Sequence, residues 1–162
     1  MVHVNELEEA EIRERHFAEE LALLLEEQGG QRMVGRVLGR LLFCDPPHQT
    51  AAQISDYLMV SRGSISTATR SMLTAGLIER HSFPGDRATY FRIKEGAWTR
   101  SIEAQSIQLR MMRELAERAK RLAEHHDDAV QRRVGEFHDF FAFWERELPR
   151  LLERWHEQRG SE

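Results

Sequence analysis

The sequence predicts a mainly α-helical protein with one small β-hairpin, and three features of the chain predict it. Apolar residues return every three or four positions from Leu7 to Leu25, from Met33 to Leu42 and from Trp98 to Trp155. One stretch, from Leu77 to Ile93, abandons that period and gathers β-branched and aromatic residues around Pro84 and Gly85. Capping residues and glycines fall where one element must stop and the next begin.

The first helix is expected from about Leu7 to Gln28. Leu7, Ile12, Phe17, Leu21, Leu24 and Leu25 fall largely on one face, and Glu8, Glu9, Glu19, Glu20, Glu26 and Glu27 lie mostly off it. Gly29 and Gly30 end it. A second helix, from about Met33 to Phe43, runs through Val34, Val37, Leu38, Leu41 and Leu42 until Asp45, Pro46 and Pro47 stop it. Gly35 and Gly39 lie four apart on it and permit a close helix contact. Thr50 and Gln53 form a capping box that opens a short third helix reaching about Met59, with Ile54 and Leu58 turned inward. Ser61 caps a fourth helix that runs to about Ala75, with Ile65, Ala68, Thr69, Met72 and Leu73 on one side and Gly76 as its stop. Two such helices separated by about three residues make a helix-turn-helix.

Leu77 to Phe83 and Ala88 to Ile93 then read as strands joined by Pro84-Gly85-Asp86-Arg87, where Pro-Gly suits a type II turn. A hairpin directly after a helix-turn-helix is a wing. After Gly96 a long helix is expected from about Trp98 through Leu122. The last begins at Asp127 or Asp128 and passes through Val130, Val134, Phe137, Phe141, Trp144, Leu148, Leu151, Leu152 and Trp155, with Pro149 expected to kink or divide it. These stripes are too apolar to be left in water, and a small winged domain cannot cover them all, so pairing with a second copy is expected. Three regions follow: residues 1–30 as a dimerisation helix, 31–95 as the winged domain, and 96–162 as dimerisation helices with room for an effector.

Bulk properties exclude several classes. No run approaches the roughly 20 apolar residues that cross a bilayer, and the acidic start Met1–Glu11 has none of the parts of a secretory signal. A cytoplasmic protein is expected. Cys44 is the single cysteine and has no partner for a disulfide or a metal pair, so it reads as a small buried hydrophobe. The net charge of −4 is uneven: residues 1–30 hold nine acids and two bases, residues 31–94 four acids and nine bases, and residues 95–162 fourteen acids and twelve bases. A positive middle between acidic ends suits a DNA-reading head on an acidic scaffold.

The fourth helix carries the candidate reading surface. With Ile65, Ala68, Met72 and Leu73 buried, its other side presents Ser61, Arg62, Gly63, Ser64, Ser66, Thr67 and Arg70. Small residues let the backbone approach a major groove, hydroxyls bond base edges or phosphates, and arginine grips guanine in bidentate fashion. For an isolated helix this would be an ordinary solvated face; the capped helix before it and the wing after it favour DNA. Arg87 at the wing tip suits a narrow minor groove, with Arg80, His81 and Arg92 on the strands. Arg32, Arg36 and Arg40 recur every fourth residue and face either phosphates or the acidic helices; Arg36 is carried as a DNA candidate.

The stretch from Gly35 to Ile93 resembles the MarR superfamily of winged-helix regulators, and within it the branch named for regulation of glycine betaine synthesis. The resemblance rests on Gly35 to Gly39 (Gly-Arg-x-x-Gly), Asp45 to Pro47 and Ser61 to Ser66 (Ser-Arg-Gly-Ser-x-Ser). It implies a dimeric transcriptional regulator, commonly a repressor, that binds a pseudo-palindromic double-stranded DNA and releases it when a small effector docks.

Two ligand readings accompany it. Trp98, Phe137, Phe141 and Trp144, within a wider aromatic series, offer a cage for a quaternary ammonium effector; such a stripe is more often core or dimer interface. His125, His126, Asp127, Asp128, His138 and Asp139 supply zinc-type ligands without a structural-zinc spacing, and a solvated helix turn is the ordinary reading, so neither metal nor cofactor is expected. No phosphate-binding glycine loop, His-Glu-x-x-His segment or nucleophile elbow is present, which argues against an enzyme. The remaining alternative is a winged-helix assembly module; the polar Arg62 to Arg70 face speaks against it.

Overall fold

The computed structural model describes residues 2–160, with side chains from residue 8 onward, so Leu7 lies outside the described side chains. The order is α1 (Val2–Glu27), α2 (Arg32–Phe43), β1 (Gln49–Thr50), α3 (Ala51–Leu58), α4 (Arg62–Thr74), β2 (Ile78–His81), β3 (Tyr90–Ile93), α5 (Ala97–Ala123) and α6 (Asp128–Gly160). The chain divides into two compact units, Met1–Ala97 and Trp98–Glu162.

In the first unit α2, α3, α4 and the sheet enclose one core of Val37, Leu38, Leu41, Cys44, Ile54, Ile65, Ala68, Met72, Ile78 and Phe91. Burial pushes the Cys44 thiol pKa up, which fits its role as a small hydrophobe. The unit does not break at residue 30 as expected. Gly35 and Gly39 bring α2 against α1 so closely that a Cβ on Gly39 would stand 2.6 Å from Ala18 Cβ, and one on Gly35 would overlap the backbone of Ala22. Ala18 and Ala22 are buried there, and Phe17 meets Phe43 edge to face at 5.3 Å. The first helix is therefore built into the winged unit along this face.

The capping signals work as read. Thr50 Oγ1 accepts from Gln53 N at 3.2 Å while Gln53 Oε1 accepts from Thr50 N at 2.8 Å, and Ser61 Oγ accepts from Ser64 N at 3.2 Å. Between the two helices Met59 takes the left-handed conformation (φ 53°), and Ser55 Oγ donates to Val60 O at 2.6 Å. The sheet has three antiparallel strands in the order β1-β3-β2, with Arg80 opposite Phe91 and His81 opposite Tyr90. Its strands are shorter than the two expected, and β1, paired through Gln49–Phe91 and Thr50–Tyr90, was not expected at all. Two residues are too few to carry an alternation of period two.

The second unit is an antiparallel helical hairpin. Trp155 Nε1 donates to Thr99 Oγ1 at 3.2 Å, Arg113 meets Glu145 at 2.6 Å and Glu117 meets His138 at 2.8 Å, so rising positions on α5 face falling positions on α6. Asp127 Oδ1 caps α6 by accepting from Val130 N at 2.8 Å. Pro149 does not divide α6, which runs unbroken to Gly160. The missing N–H costs one bond to Glu145 O, and the bonds on either side continue the helix.

Candidate nucleic-acid interface

The exposed side of α4 carries three ridge residues four apart, Arg62, Ser66 and Arg70, all exposed. Beside them Gly63 leaves a gap, and Thr67 Oγ1 donates to Gly63 O at 3.1 Å. Ser61 and Ser64 hydroxyls lie 2.9 Å apart, so these two serve the cap before they serve any partner. The buried side, Ile65, Ala68, Thr69 and Met72, holds the helix on the core, and Thr69 Oγ1 returns its hydrogen bond to Ile65 O at 2.8 Å. What α4 offers outward is two guanidiniums and the Ser66 hydroxyl.

The wing is tied at its turn. Phe83-Pro84-Gly85-Asp86 closes with Asp86 N donating to Phe83 O at 3.1 Å and Gly85 at φ 83°, the geometry of a type II turn. Asp86 then accepts from Ala88 N at 2.8 Å and from the Tyr90 hydroxyl at 2.7 Å. These bonds hold the Asp86 carboxyl below its ordinary range and raise the Tyr90 hydroxyl. Arg87, between Asp86 and Ala88, is carried on a fixed loop. Asp86 and Tyr90 were not singled out in the sequence, although an aspartate two residues before a free amide is the signature of an Asx turn.

Charge pairing sorts the nine bases of residues 31–94. Arg32 and Arg36 both turn to Glu19 of α1, with Arg36 Nη2 donating at 3.0 Å and Arg32 Nη2 at 3.1 Å. Burial alone would raise the Glu19 pKa, but the two guanidiniums outweigh it and hold the carboxyl below its ordinary range. Arg92 pairs with Glu79 at 2.7 Å. Arg40 donates to Gln49 Oε1 at 2.9 Å and lies over the Tyr57 ring at 3.8 Å, with Arg15 of α1 at 4.2 Å from the same ring. Among the described residues Arg62, Arg70, Arg80, Arg87 and Lys94 are held by neither an acidic side chain nor, as Arg40 is, by an amide and a ring, and all lie on α4 or the hairpin and its end. Arg36, carried as a DNA candidate, is instead engaged by the acidic first helix. Lys94 was missed; as the only lysine of the middle segment it stood outside the arginine pattern.

The ligand candidates do not converge within one chain. Phe137, Phe141 and Trp144 belong to an edge-to-face ladder along α6, in which Phe137 and Phe141 are 5.0 Å apart and Phe140 lies 5.2 Å from Phe141 and 6.5 Å from Trp144. Trp98 adjoins Thr99, which meets Trp155; at about 1.5 Å per residue, Trp155 is roughly 16 Å along α6 from Trp144 and farther from the two phenylalanines. The four rings therefore form no cage. Of the residues weighed as metal ligands, Asp127 caps α6, and His138 is held between Glu117 at Nε2 and Asp139 at Nδ1, 2.8 and 2.9 Å away. Among the described residues no three His, Cys, Asp or Glu side chains are placed to hold a metal ion, and no helix is long and apolar enough to cross a membrane.

Comparison with known proteins identifies the family. Residues 31–88 match the MarR family, and residues 96–158 match the MmpR5-like MarR family transcriptional regulators. The chain is 31% identical over 146 residues to the HTH-type transcriptional regulator MmpR5 of Mycobacterium tuberculosis, a match covering 90% of this chain and 88% of that protein. A crystal structure of a transcriptional regulator superposes with a TM-score of 0.71 at 30% identity, covering 90% of this chain and 99% of the other. These families are regulators and not enzymes. With a relative of that identity spanning nearly its whole length, and with a winged helix-turn-helix in place, the chain belongs to the MarR family of transcriptional regulators.

Proposed function

We propose that the chain is a homodimeric repressor that holds a pseudo-palindromic operator, with α4 in the major groove and Arg87 in the adjacent minor groove, and that a small effector releases it. One observation carries the DNA part: among the described residues, the bases of the middle segment held by neither a carboxylate nor any other side chain lie on α4, the hairpin and its end, while Arg32, Arg36 and Arg92 already have carboxylates and Arg40 has Gln49 and the Tyr57 ring. An unpaired guanidinium meets a phosphate or a guanine edge without first breaking an ion pair. Ser66 and Arg70 are the base-reading pair of this proposal, Arg62 and Arg80 flank them, and Ser61 and Ser64 set the entry of the helix. The cytoplasm, where the DNA lies, is the place of work.

Dimerisation is supported by the hairpin of α5 and α6. Ala116 and Ala123 of α5 are buried, yet Ile107, Met111, Leu115 and Leu122, on the far side of that helix, are between 46% and 73% exposed. A helix apolar on both sides needs a cover on both. A second copy supplies it by symmetry. For the effector, a hollow of about 340 Å³ opens between Gln105, Gln108, Leu109 and Met112 of α5 and Phe141 of α6, apolar with two amides to orient a guest. Affinity with the glycine-betaine branch rests on Gly35 to Gly39, Asp45 to Pro47 and Ser61 to Ser66 alone, and remains part of this proposal.

The test is selection of duplexes from a random-sequence pool, followed by titration at rising salt and sedimentation of the free protein. Two half-sites about one helical turn apart, about 10 bp, with log affinity falling linearly in log salt, are expected. A monomer at micromolar concentration, or a pool that yields no enriched sequence, would overturn the reading.

A further inference from the structure

Gly63 is the second residue of α4, a position that any side chain able to sit in a helix can occupy. The other glycines of the Met1–Ala97 unit have a reason inside the chain. Gly29, Gly76, Gly85 and Gly96 have positive φ. A Cβ on Gly30 would stand 2.8 Å from Leu25 O, one on Gly39 2.6 Å from Ala18 Cβ, and one on Gly35 inside the Ala22 backbone. Gly63 has neither reason: its φ is not positive, and the nearest atom to an added Cβ is Ser61 Oγ at 3.8 Å, ordinary contact distance. Glycine there loses more conformational freedom on folding than alanine would, and the fold gains nothing in return.

The surroundings of this gap bear on its use. Gly63 follows Arg62 and precedes the exposed Ser66, Thr67 and Arg70, and neither arginine has an acidic partner among the described residues. Its carbonyl is already bonded to Thr67 Oγ1 at 3.1 Å. The missing Cβ therefore clears space on the outer surface of the helix, beside the two free guanidiniums.

We infer that Gly63 is a clearance residue: it is glycine because the duplex approaches α4 there more closely than a Cβ permits, at some loss of protein stability. This inference rests on the proposal that α4 lies in the major groove, and deepens it by naming the residue that sets how far the helix enters. Gly63 makes no base-specific contact of its own. It lets Ser66 and Arg70 reach the base edges.

The experiment measures melting temperature and binding for wild type, Gly63→Ala and Arg70→Ala, using duplexes selected by the wild-type protein from a random pool and a scrambled duplex of equal length. Gly63→Ala is expected to melt about 1–4 °C higher than wild type and to bind the selected duplex roughly tenfold more weakly, the scale of one lost base contact. Its binding to the scrambled duplex should stay within about twofold, because non-specific binding is set by phosphate charge. If Gly63→Ala is stabilised and binds as wild type while Arg70→Ala is weakened, the clearance inference is overturned and the DNA-reading surface stands. If Gly63→Ala melts lower than wild type, the space around Gly63 is not open and the inference is overturned on structural grounds. If neither variant changes binding to the selected duplex, the reading surface itself is wrong and the inference falls with it.

Discussion

Arg36→Ala and Arg87→Ala each remove one positive charge from the same compact unit, and their effects on DNA binding should be unlike. In the free protein Arg36 donates to Glu19 at 3.0 Å with 25% of its side chain exposed, and Glu19 also accepts from Arg32 at 3.1 Å. Removing Arg36 leaves Glu19 paired with Arg32. Because Glu19 is 44% exposed, solvent screens the pair, and its loss costs no more than about 1 kcal/mol of stability. Arg87 has no acidic partner among the described residues and rides on the turn fixed by Asp86. Each phosphate neutralised contributes about 0.9 to the slope of log affinity against log salt, so the two copies of Arg87 in a dimer carry about 1.8. Over a fourfold rise from about 50 to about 200 mM salt, that is roughly tenfold in affinity. The assay is fluorescence anisotropy on a selected duplex at four or more salt concentrations. Arg87→Ala should flatten the line by about 1.8 while Arg36→Ala leaves its slope within about 0.3 of wild type. Equal flattening by both variants would refute the reasoning, since pairing in the free protein would then say nothing about which cations meet DNA.

Three further outcomes are expected. Gly39→Val should lower stability by about 1–3 kcal/mol in urea unfolding, because its Cβ would meet Ala18 Cβ at 2.6 Å; a variant as stable as wild type would mean that α1 does not pack on α2 there. Ser61→Ala removes the acceptor for Ser64 N and should cost about 1 kcal/mol in thermal unfolding, and an unchanged melting curve would remove Ser61 from the cap. Glu19 has a pKa held below its ordinary value by Arg36 and Arg32 despite burial. A carboxylate lowered on folding stabilises fully above its ordinary pKa and ceases to do so as pH falls through the lowered one, so wild type should lose more stability than Glu19→Gln between about pH 6 and about pH 3. Parallel stability curves for the two proteins would contradict that linkage.

Much of the architecture was legible because its signals are local. The Thr50–Gln53 box, the Ser61 cap, the stop at Gly76 and the Pro84-Gly85 turn are each made within about four residues, and all stand where the chain indicated. The spacing of Gly35 and Gly39 announced a close helix contact, and only the fold showed that its partner is the first helix of the same chain. Strand β1 was invisible, since it exists only because Phe91 and Tyr90 come to lie beside Gln49 and Thr50. Of the two outcomes expected at Pro149, a kink or a division, the helix excludes division, since it runs through the proline. Trp98 groups with Phe137, Phe141 and Trp144 by chemistry, but the antiparallel hairpin sets its neighbour Thr99 against Trp155, at the other end of α6.

The candidate interface divides in the same way. Spacing and charge along the chain are enough to place a basic winged helix-turn-helix between acidic helices and to tell which side of the fourth helix faces outward, because burial of Ile65, Ala68 and Met72 follows from their spacing. Which arginines remain free for a partner was decided only by tertiary structure. Arg32, Arg36 and Arg40 repeat every fourth residue and are alike in the chain; α1 folding onto α2 sets the first two against Glu19, while Arg40 turns to Gln49 and Tyr57. An ion pair closed across 17 residues, as between Arg36 and Glu19, leaves no periodic mark in the sequence, so the selection of Arg62, Arg70, Arg80, Arg87 and Lys94 as the unpaired set had to wait for the fold.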